Sequence, residues 1–372
     1  MSRARLTRVR RLVVKIGTSL LAPPTGGIHT RRISELAREV AQVLDQGRQV
    51  MLVSSGAVGL GTRKLGLPAR PLAIPEKQAA AAVGQIDLCR RYERAFARHG
   101  RHVAQILLTH AGLSDRERFL NVRRTLNSLL ARGVVPIINE NDSVSTEELR
   151  FGDNDQLSAL VVNSCGANLL IMLTDTGGLY DRPPGQAGGR RISEVEEITP
   201  QILRIASGVS SRLASGGMRS KLESARVVAR LGVPTVIADG RRRGILRRIV
   251  GGDDVGTFVH PAENQLSARK HWIAFSQKTR GTLRLDAGAV RALCERGGSL
   301  LPIGVVDADG KFQMGDLVSC ISEDGREIAR GLTSYDATET DVIKGHRTSR
   351  ISELLGYSNG DEIIHRDDLI LL

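Results

Sequence analysis

The sequence predicts an α/β chain in two parts: a three-layer αβα sandwich on a mainly parallel sheet, then a small β-rich domain. Three observations carry that prediction. Residues 1–262 alternate apolar, β-branched runs with segments of helical period. Beyond His260-Pro261 the runs shorten and are broken by Asp-Gly pairs. The charge balance changes at the same place. Residues 263–372 hold 14 Lys/Arg against 17 Asp/Glu, so the net charge of +13 resides wholly in the first part.

Taken in order, the runs 12–16, 50–53, 103–108, 134–138, 169–173 and 234–238 read as buried strands. Their near-continuous apolar character fits strands covered on both faces, as in parallel sheets. After Thr30, a candidate cap, Ile33, Leu36, Ala37, Val40, Val43 and Leu44 keep a helical period. In the second part Asp309-Gly310 and Asp324-Gly325 fall between alternating runs and read as hairpin turns, with one short helix near 287–296. The expected division is a domain over 1–262, a packed connector over 263–279 carrying Trp272, Ile273 and Phe275, and a β-rich domain and tail over 280–372.

Composition excludes several classes. A chain of 372 residues, 41% hydrophobic and 25% charged, is globular and long enough for two domains. No apolar run approaches the length of a membrane span. The basic N-terminal stretch precedes an apolar run broken at Lys15 and Gly17, a poor signal peptide. Cys89, Cys165, Cys294 and Cys320 form no CxxC pair, as expected of free thiols in a cytoplasmic protein. The eight histidines show no HExxH or HxxxH spacing, and no metal-ligand set is expected. The run Arg241-Arg242-Arg243 reads first as a solvated face.

Candidate chemistry lies where strands end, which is where open α/β sheets bind ligands. Of 53 basic residues only 8 are Lys, yet Lys15 precedes Gly17-Thr18-Ser19 and Lys221 follows Ser215-Gly216-Gly217-Met218-Arg219-Ser220. Lysine is a compact point charge on a slim stem, unlike the broad guanidinium fork. Glycines there, with Ser54-Ser55-Gly56, let backbone N–H groups approach an anion. Glycine turns also join elements in any α/β sheet, and none of these matches a Walker A loop or a dinucleotide fingerprint. A second cluster, Asn139-Glu140-Asn141-Asp142 with Gly152-Asp153-Asn154-Asp155, holds more amides and carboxylates than one turn requires. Asn154 or Asp155 is equally placed to cap a helix running from Leu157.

In this order these motifs, with Thr174-Asp175, resemble those of the glutamate 5-kinases of the amino-acid-kinase family. The second part, with Gly298-Ser299-Leu300-Leu301-Pro302 and His365-Arg366-Asp367-Asp368, resembles a PUA domain. The resemblance covers nearly the whole chain. It implies the amino-acid-kinase fold with a PUA-like domain, and transfer of the γ-phosphate of ATP, with Mg²⁺, to the side-chain carboxylate of L-glutamate, the first step toward proline. It implies that Lys15 and Lys221 flank the transferring phosphoryl group and that Asp155 positions them. Ser55, Asp142 and Asn154 match the family's glutamate positions. Lys15, Thr174, Asp175, Ser215, Gly216, Gly217, Met218, Arg219, Ser220 and Lys221 match its nucleotide positions, with Ser215 and Ser220 standing where Thr is common. It also implies feedback inhibition by proline and a homodimer or homotetramer.

Within the fold, the rival expectation is a kinase for acetylglutamate, aspartate, carbamate or UMP. The acidic residues among 139–142 and 153–155 favour an unblocked amino group. From another class, RNA binding by the PUA-like domain is expected to be weak at best, because its net negative charge opposes a phosphate backbone.

Overall fold

The computed structural model describes residues 2–21, 29–67, 73–109, 112–113, 116–144, 154–182, 189–208, 217–262 and 279–372. They belong to two compact units, Met1–Glu263 and Asn264–Leu372. The expected connector, 263–279, lies outside the described residues except for Thr279.

In the first unit β1 (Arg11–Ile16), β2 (Gln49–Val53), β3 (Val103–Leu108), β4 (Val135–Glu140), β5 (Leu169–Thr174), β6 (Glu194–Val195), β7 (Thr235–Asp239) and β8 (Thr257–Val259) form one sheet. Its order is β3-β4-β2-β1-β5-β7-β8-β6, and every neighbouring pair is parallel except β7 with β8. The six apolar runs are β1 to β5 and β7. β4 runs past Ile138 because Asn139 and Glu140 still pair with Leu107 and Leu108 of β3. Two polar residues are thereby held at a strand end instead of in a loop.

Helices of this unit among the described residues include α1 (Thr18–Leu21), α2 (Thr30–Leu44), α3 (Ala57–Lys64), α4 (Ile74–Ala97), α5 (Arg116–Ala131), α6 (Asn154–Cys165), α7 (Pro200–Gly208), α8 (Met218–Arg230) and α9 (Ile245–Val250). Strand alternation divides the core into two layers. Leu12, Val14 and Ile16 of β1 pack with Leu36 and Val40 of α2, Leu88, Tyr92 and Phe96 of α4, and Ile249 of α9. Val13 faces the other way, into Leu126 of α5, Leu157 and Val161 of α6, and Leu222 and Val228 of α8. Lys15 is therefore carried to the α6 and α8 face by its spacing of two from Val13. Thr30 opens α2 but makes no cap; His29 holds the cap position, and the Thr30 hydroxyl accepts from Arg91 Nη1 at 2.5 Å.

α3 and α4 touch backbone to backbone. A Cβ at Gly61 would stand 1.7 Å from the Ala80 carbonyl oxygen, and one at Gly84 would stand 1.9 Å from that of Ala57. Only glycine at both positions allows the crossing, and the crossing sets the residue after Gly84 beneath the sheet's ligand-binding edge.

The second unit contains β9 (Gly281–Leu285), β10 (Val305–Gly310), β11 (Leu317–Ser322), β12 (Glu327–Leu332) and β13 (Leu369–Leu371), in the order β10-β9-β11-β12-β13. Asp324-Gly325 makes the expected hairpin between β11 and β12. Asp309-Gly310 does not. β9 lies between β10 and β11, antiparallel to the first and parallel to the second, so the two never pair. The expected helix is α10 (Ala287–Arg296), capped by Asp286, whose carboxylate accepts from Ala289 N at 2.6 Å. Two further short helices, α11 (Ala337–Ile343) and α12 (Ile351–Leu355), exceed the one expected. A capping box from Asp336 to Glu339 starts α11 and was the readable signal for it. The motif segments near both ends of this unit meet, because Leu300 N donates to Ile364 O at 2.8 Å.

Candidate functional site

The strand order reverses direction at β1, with β2 on one side and β5 on the other. A parallel sheet opens a crevice at such a point, outside the carboxyl ends of its strands. The strand-end motifs of β1, β2, β4 and β5 all fall on that edge.

Lys15 and Lys221 meet there. Asp155 lies between them, with Oδ1 2.5 Å from Lys15 Nζ and Oδ2 3.2 Å from Lys221 Nζ. All three are buried: relative exposures are 2%, 4% and 0% for Lys15, Lys221 and Asp155. Each lysine arrives by a separate route, Lys15 from β1 and Lys221 from the first turns of α8. Asp155 sits in the first turn of α6, where the helix dipole favours a carboxylate. Its burial alone would raise the carboxyl pKa. The charges of Lys15 and Lys221, then their hydrogen bonds, outweigh burial and hold it below the ordinary value. The cluster thus carries two fixed positive charges and one negative. It is built to receive further negative charge.

Beside it lies an amide cluster. Asn154 Nδ2 turns its two N–H groups on three acceptors, the Ser54 carbonyl at 2.9 Å, Ser55 Oγ at 2.8 Å and Asn139 Oδ1 at 3.1 Å. Its own Oδ1 is buried and has no hydrogen-bond partner among the described residues. Helix α6 begins at Asn154, three residues before the expected Leu157, so Asn154 and Asp155 lie on adjacent positions of one rigid turn. Gly56 makes the turn after Ser55 with φ +103°, and it opens α3. That left-handed conformation is open to glycine and costly for other residues. Asp142 is half-buried near the buried Glu140, and its carboxyl is pushed up to about 6 by burial first and by Glu140 second.

The third group is Thr174 and Asp175 at the end of β5. Thr174 shares a face with Met172 and Leu170, the face of Lys15. Its hydroxyl donates to Asp175 Oδ1 at 3.2 Å. Gly17 brings β1 against this end: its N–H donates to the Leu173 carbonyl at 3.0 Å. From α8, Gly217 holds the cap position, Met218 packs partly into the core and Arg219 pairs with Glu223 on the surface. Ser220 precedes Lys221 in the same turn. Ser215 and Gly216, with Gly152 and Asp153, lie outside the described residues.

Two contributors escaped sequence reasoning, Gln85 and Tyr92 of α4. The Gln85 amide oxygen accepts from Asn139 Nδ2 at 2.9 Å, and the Tyr92 hydroxyl shares a 2.8 Å hydrogen bond with Ser54 Oγ. No sequence signal marked Gln85, whose burial beside Ala81 and Leu88 is evident only in the folded chain. The arginine run is an exposed face. Arg241 is bidentate on Asp239 at 2.9 and 3.1 Å, and Arg243 reaches Glu35 at 3.9 Å. Among the described residues no group of three or more His, Cys, Asp or Glu is placed to hold a metal, and no helix is long and apolar enough to cross a membrane.

Residues 10–239 match the Amino acid kinase family and residues 281–355 match the PUA domain. The first match spans more than half the chain. Full-length relatives narrow the class. A glutamate 5-kinase of Moorella thermoacetica is 48% identical over 100% of this chain and 98% of its own length. Those of Nitrosococcus oceani (48%, covering 100% of this chain and 99% of the relative) and Pseudomonas syringae pv. syringae (47%, 100% of both) agree. The chain belongs to the amino acid kinase family, on its glutamate 5-kinase branch.

Proposed function

We infer that the chain transfers the γ-phosphoryl group of ATP to the side-chain carboxylate of L-glutamate, giving L-glutamyl 5-phosphate, the first step of proline biosynthesis. One observation carries the reading: two buried lysines bridged by one buried carboxylate at the ligand-binding edge of the sheet. A carboxylate oxygen attacks the γ-phosphorus, the bond to the β–γ bridging oxygen breaks, and ADP leaves with that electron pair. Both reactants are anions, so repulsion and orientation dominate the barrier. Lys15 and Lys221 bracket the phosphoryl group and offset the charge that develops on it. Asp155 keeps the two ammonium groups side by side in the absence of substrate.

Ser55, Asp142 and Asn154 bind the amino acid, the Asp142 carboxylate and the Asn154 oxygen facing its ammonium. Lys15, Thr174, Asp175 and the 215–221 segment bind the nucleotide. Mg²⁺ enters on the ATP phosphates as part of the substrate, which suits an ion that prefers phosphate and water to a protein cage. Asp155, already committed to two lysines, would not serve as a ligand. In this reading residues 1–262 are the catalytic domain, 263–279 the connector, and 280–372 the PUA-like domain and tail, in a cytoplasmic homo-oligomer inhibited by proline at the glutamate site.

Glutamate-dependent release of ADP, with trapping of the acyl phosphate as a hydroxamate, tests the reaction. Turnover of acetylglutamate, aspartate, carbamate or UMP in place of glutamate would overturn the substrate assignment.

A pH profile tests Asp142. Its raised pKa means that the carboxylate protonates as pH falls through about 6 and loses its attraction for the ammonium. The expected result is a kcat/KM for glutamate that is flat above pH 7 and falls about tenfold per unit well below 6, a window clear of the glutamate side chain at about 4.3. Asp142→Asn lowers the plateau and removes that limb. A limb unchanged in Asp142→Asn would assign the titration elsewhere.

A further inference from the structure

We propose that Gln85 is a positioning residue for the amino-acid substrate: acting through Asn139, it fixes the Asn154 amide with its oxygen unpaired and ready to accept from the substrate's ammonium. This rests on the proposed function for the identity of the amino acid and for its ammonium facing the Asn154 oxygen.

Orientation in this chain of amides follows from two backbone groups whose roles are unambiguous. The Ser54 carbonyl can only accept, so the end of Asn154 that faces it at 2.9 Å is the NH₂. The Glu140 N–H can only donate, so the end of Asn139 that meets it at 3.0 Å is the oxygen. That same Asn139 oxygen accepts from Asn154, which leaves the Asn139 NH₂ for Gln85 Oε1 at 2.9 Å. Gln85 is held in turn from its other end, because its Nε2 donates to Cys89 Sγ at 3.3 Å, one turn along α4.

Every amide oxygen in the relay has a partner except Asn154 Oδ1, which is buried and unpartnered among the described residues. A buried acceptor without a partner is costly, and one whose amide is held at the opposite end by two N–H donors among three acceptors is poised for a ligand donor. Asn139 and Gln85 are themselves 2% and 7% exposed, so solvent does not readily substitute for either. Helix α4 supports the site a second time, two turns on, where Tyr92 braces Ser54. The Gly61 and Gly84 contacts hold α4 against α3, whose start follows Ser55 directly. The relay therefore joins the helix layer behind the sheet to the edge where the substrate binds.

The experiment compares three variants by steady-state kinetics on the full chain. Gln85→Met keeps the length and volume but removes the acceptor. The glutamate KM is expected to rise about tenfold, as one buried donor loses its partner, while the ATP KM and kcat change little. Gln85→Glu retains an oxygen acceptor facing Asn139 and is expected to restore most of the glutamate KM. In an Asn139→Ala background, Gln85→Met is expected to add no further increase, because its effect passes through Asn139. Three results would overturn the proposal: an unchanged glutamate KM in Gln85→Met, equal damage from Met and Glu, or full additivity with Asn139→Ala. Melting temperature and the ATP KM report any general misfolding, and in that event the Glu variant and the cycle decide. Should the parent chain turn over aspartate instead, which also carries a free ammonium, the same ratios are read on aspartate. The reaction assignment then fails while the relay is still judged.

Discussion

Lys221→Ala is expected to lower kcat by about 10²–10³-fold, the usual loss when one preorganised donor to a developing anion is removed. The ATP KM is expected to move far less, because the charge that Lys221 offsets is greatest in the transition state. Lys221→Arg is the sharper variant. It keeps the charge, yet a planar fork cannot occupy a position that is 4% exposed and 3.2 Å from Asp155 without displacing its neighbours. It is expected to restore little of the rate. A Lys221→Arg enzyme with parental kcat would show that charge alone matters there and that slim shape does not. Single-turnover measurement of ADP formation separates the chemical step from product release.

Asp155→Asn is expected to be the most destabilising conservative change in the site, by about 3–5 kcal/mol, because it leaves two buried ammonium groups without their carboxylate. Denaturant unfolding of the parent and the variant measures it. The pH dependence has a definite sign. The Asp155 carboxyl is held below its ordinary value by Lys15 and Lys221 against the opposing effect of burial. Its contribution is then complete above the unfolded-state pKa of about 3.9 and is lost only as pH falls through the lower folded value. The stability gap between parent and variant should therefore be the same at pH 5 and pH 7. A gap that closes between those two would mean that Asp155 is not held ionised by the lysines. The rate falls as well, since the two lysines lose the group that spaces them.

Much of this was legible because strand chemistry is local. The runs now seen as β1 to β5 and β7 announce themselves by β-branched apolar residues, and the polar motifs follow them directly in sequence. The rule that parallel sheets bind ligands at strand ends then indicates where chemistry belongs. Asp324-Gly325 was readable as a hairpin for the same reason, since two residues determine the turn. Asp309-Gly310 was not. Whether strands on either side of a turn pair depends on β9, a strand earlier in the chain that inserts between them.

Gln85 marks the same boundary inside the site. Its sequence neighbours are alanines, a glycine, apolar residues and the partly exposed Asp87 of a long helix, and nothing local distinguishes a polar group that serves a strand end from one that faces solvent. The glycines at 61 and 84 create the helix crossing that gives Gln85 its role, and their effect exists only when α3 and α4 are already in contact.

By itself the sequence determined the two-part fold, the strand-end placement of the motifs, and the two rare lysines beside glycine turns. That Asp155 positions Lys15 and Lys221 was implied by the family resemblance; the tertiary structure supplies the contacts and alone decided that Asn154 keeps one acceptor unpaired. The physical reason is range. Backbone propensity and hydrophobic period act over a few residues, whereas an ion pair joining β1, α6 and α8 forms only after the sheet has brought three distant segments to one edge.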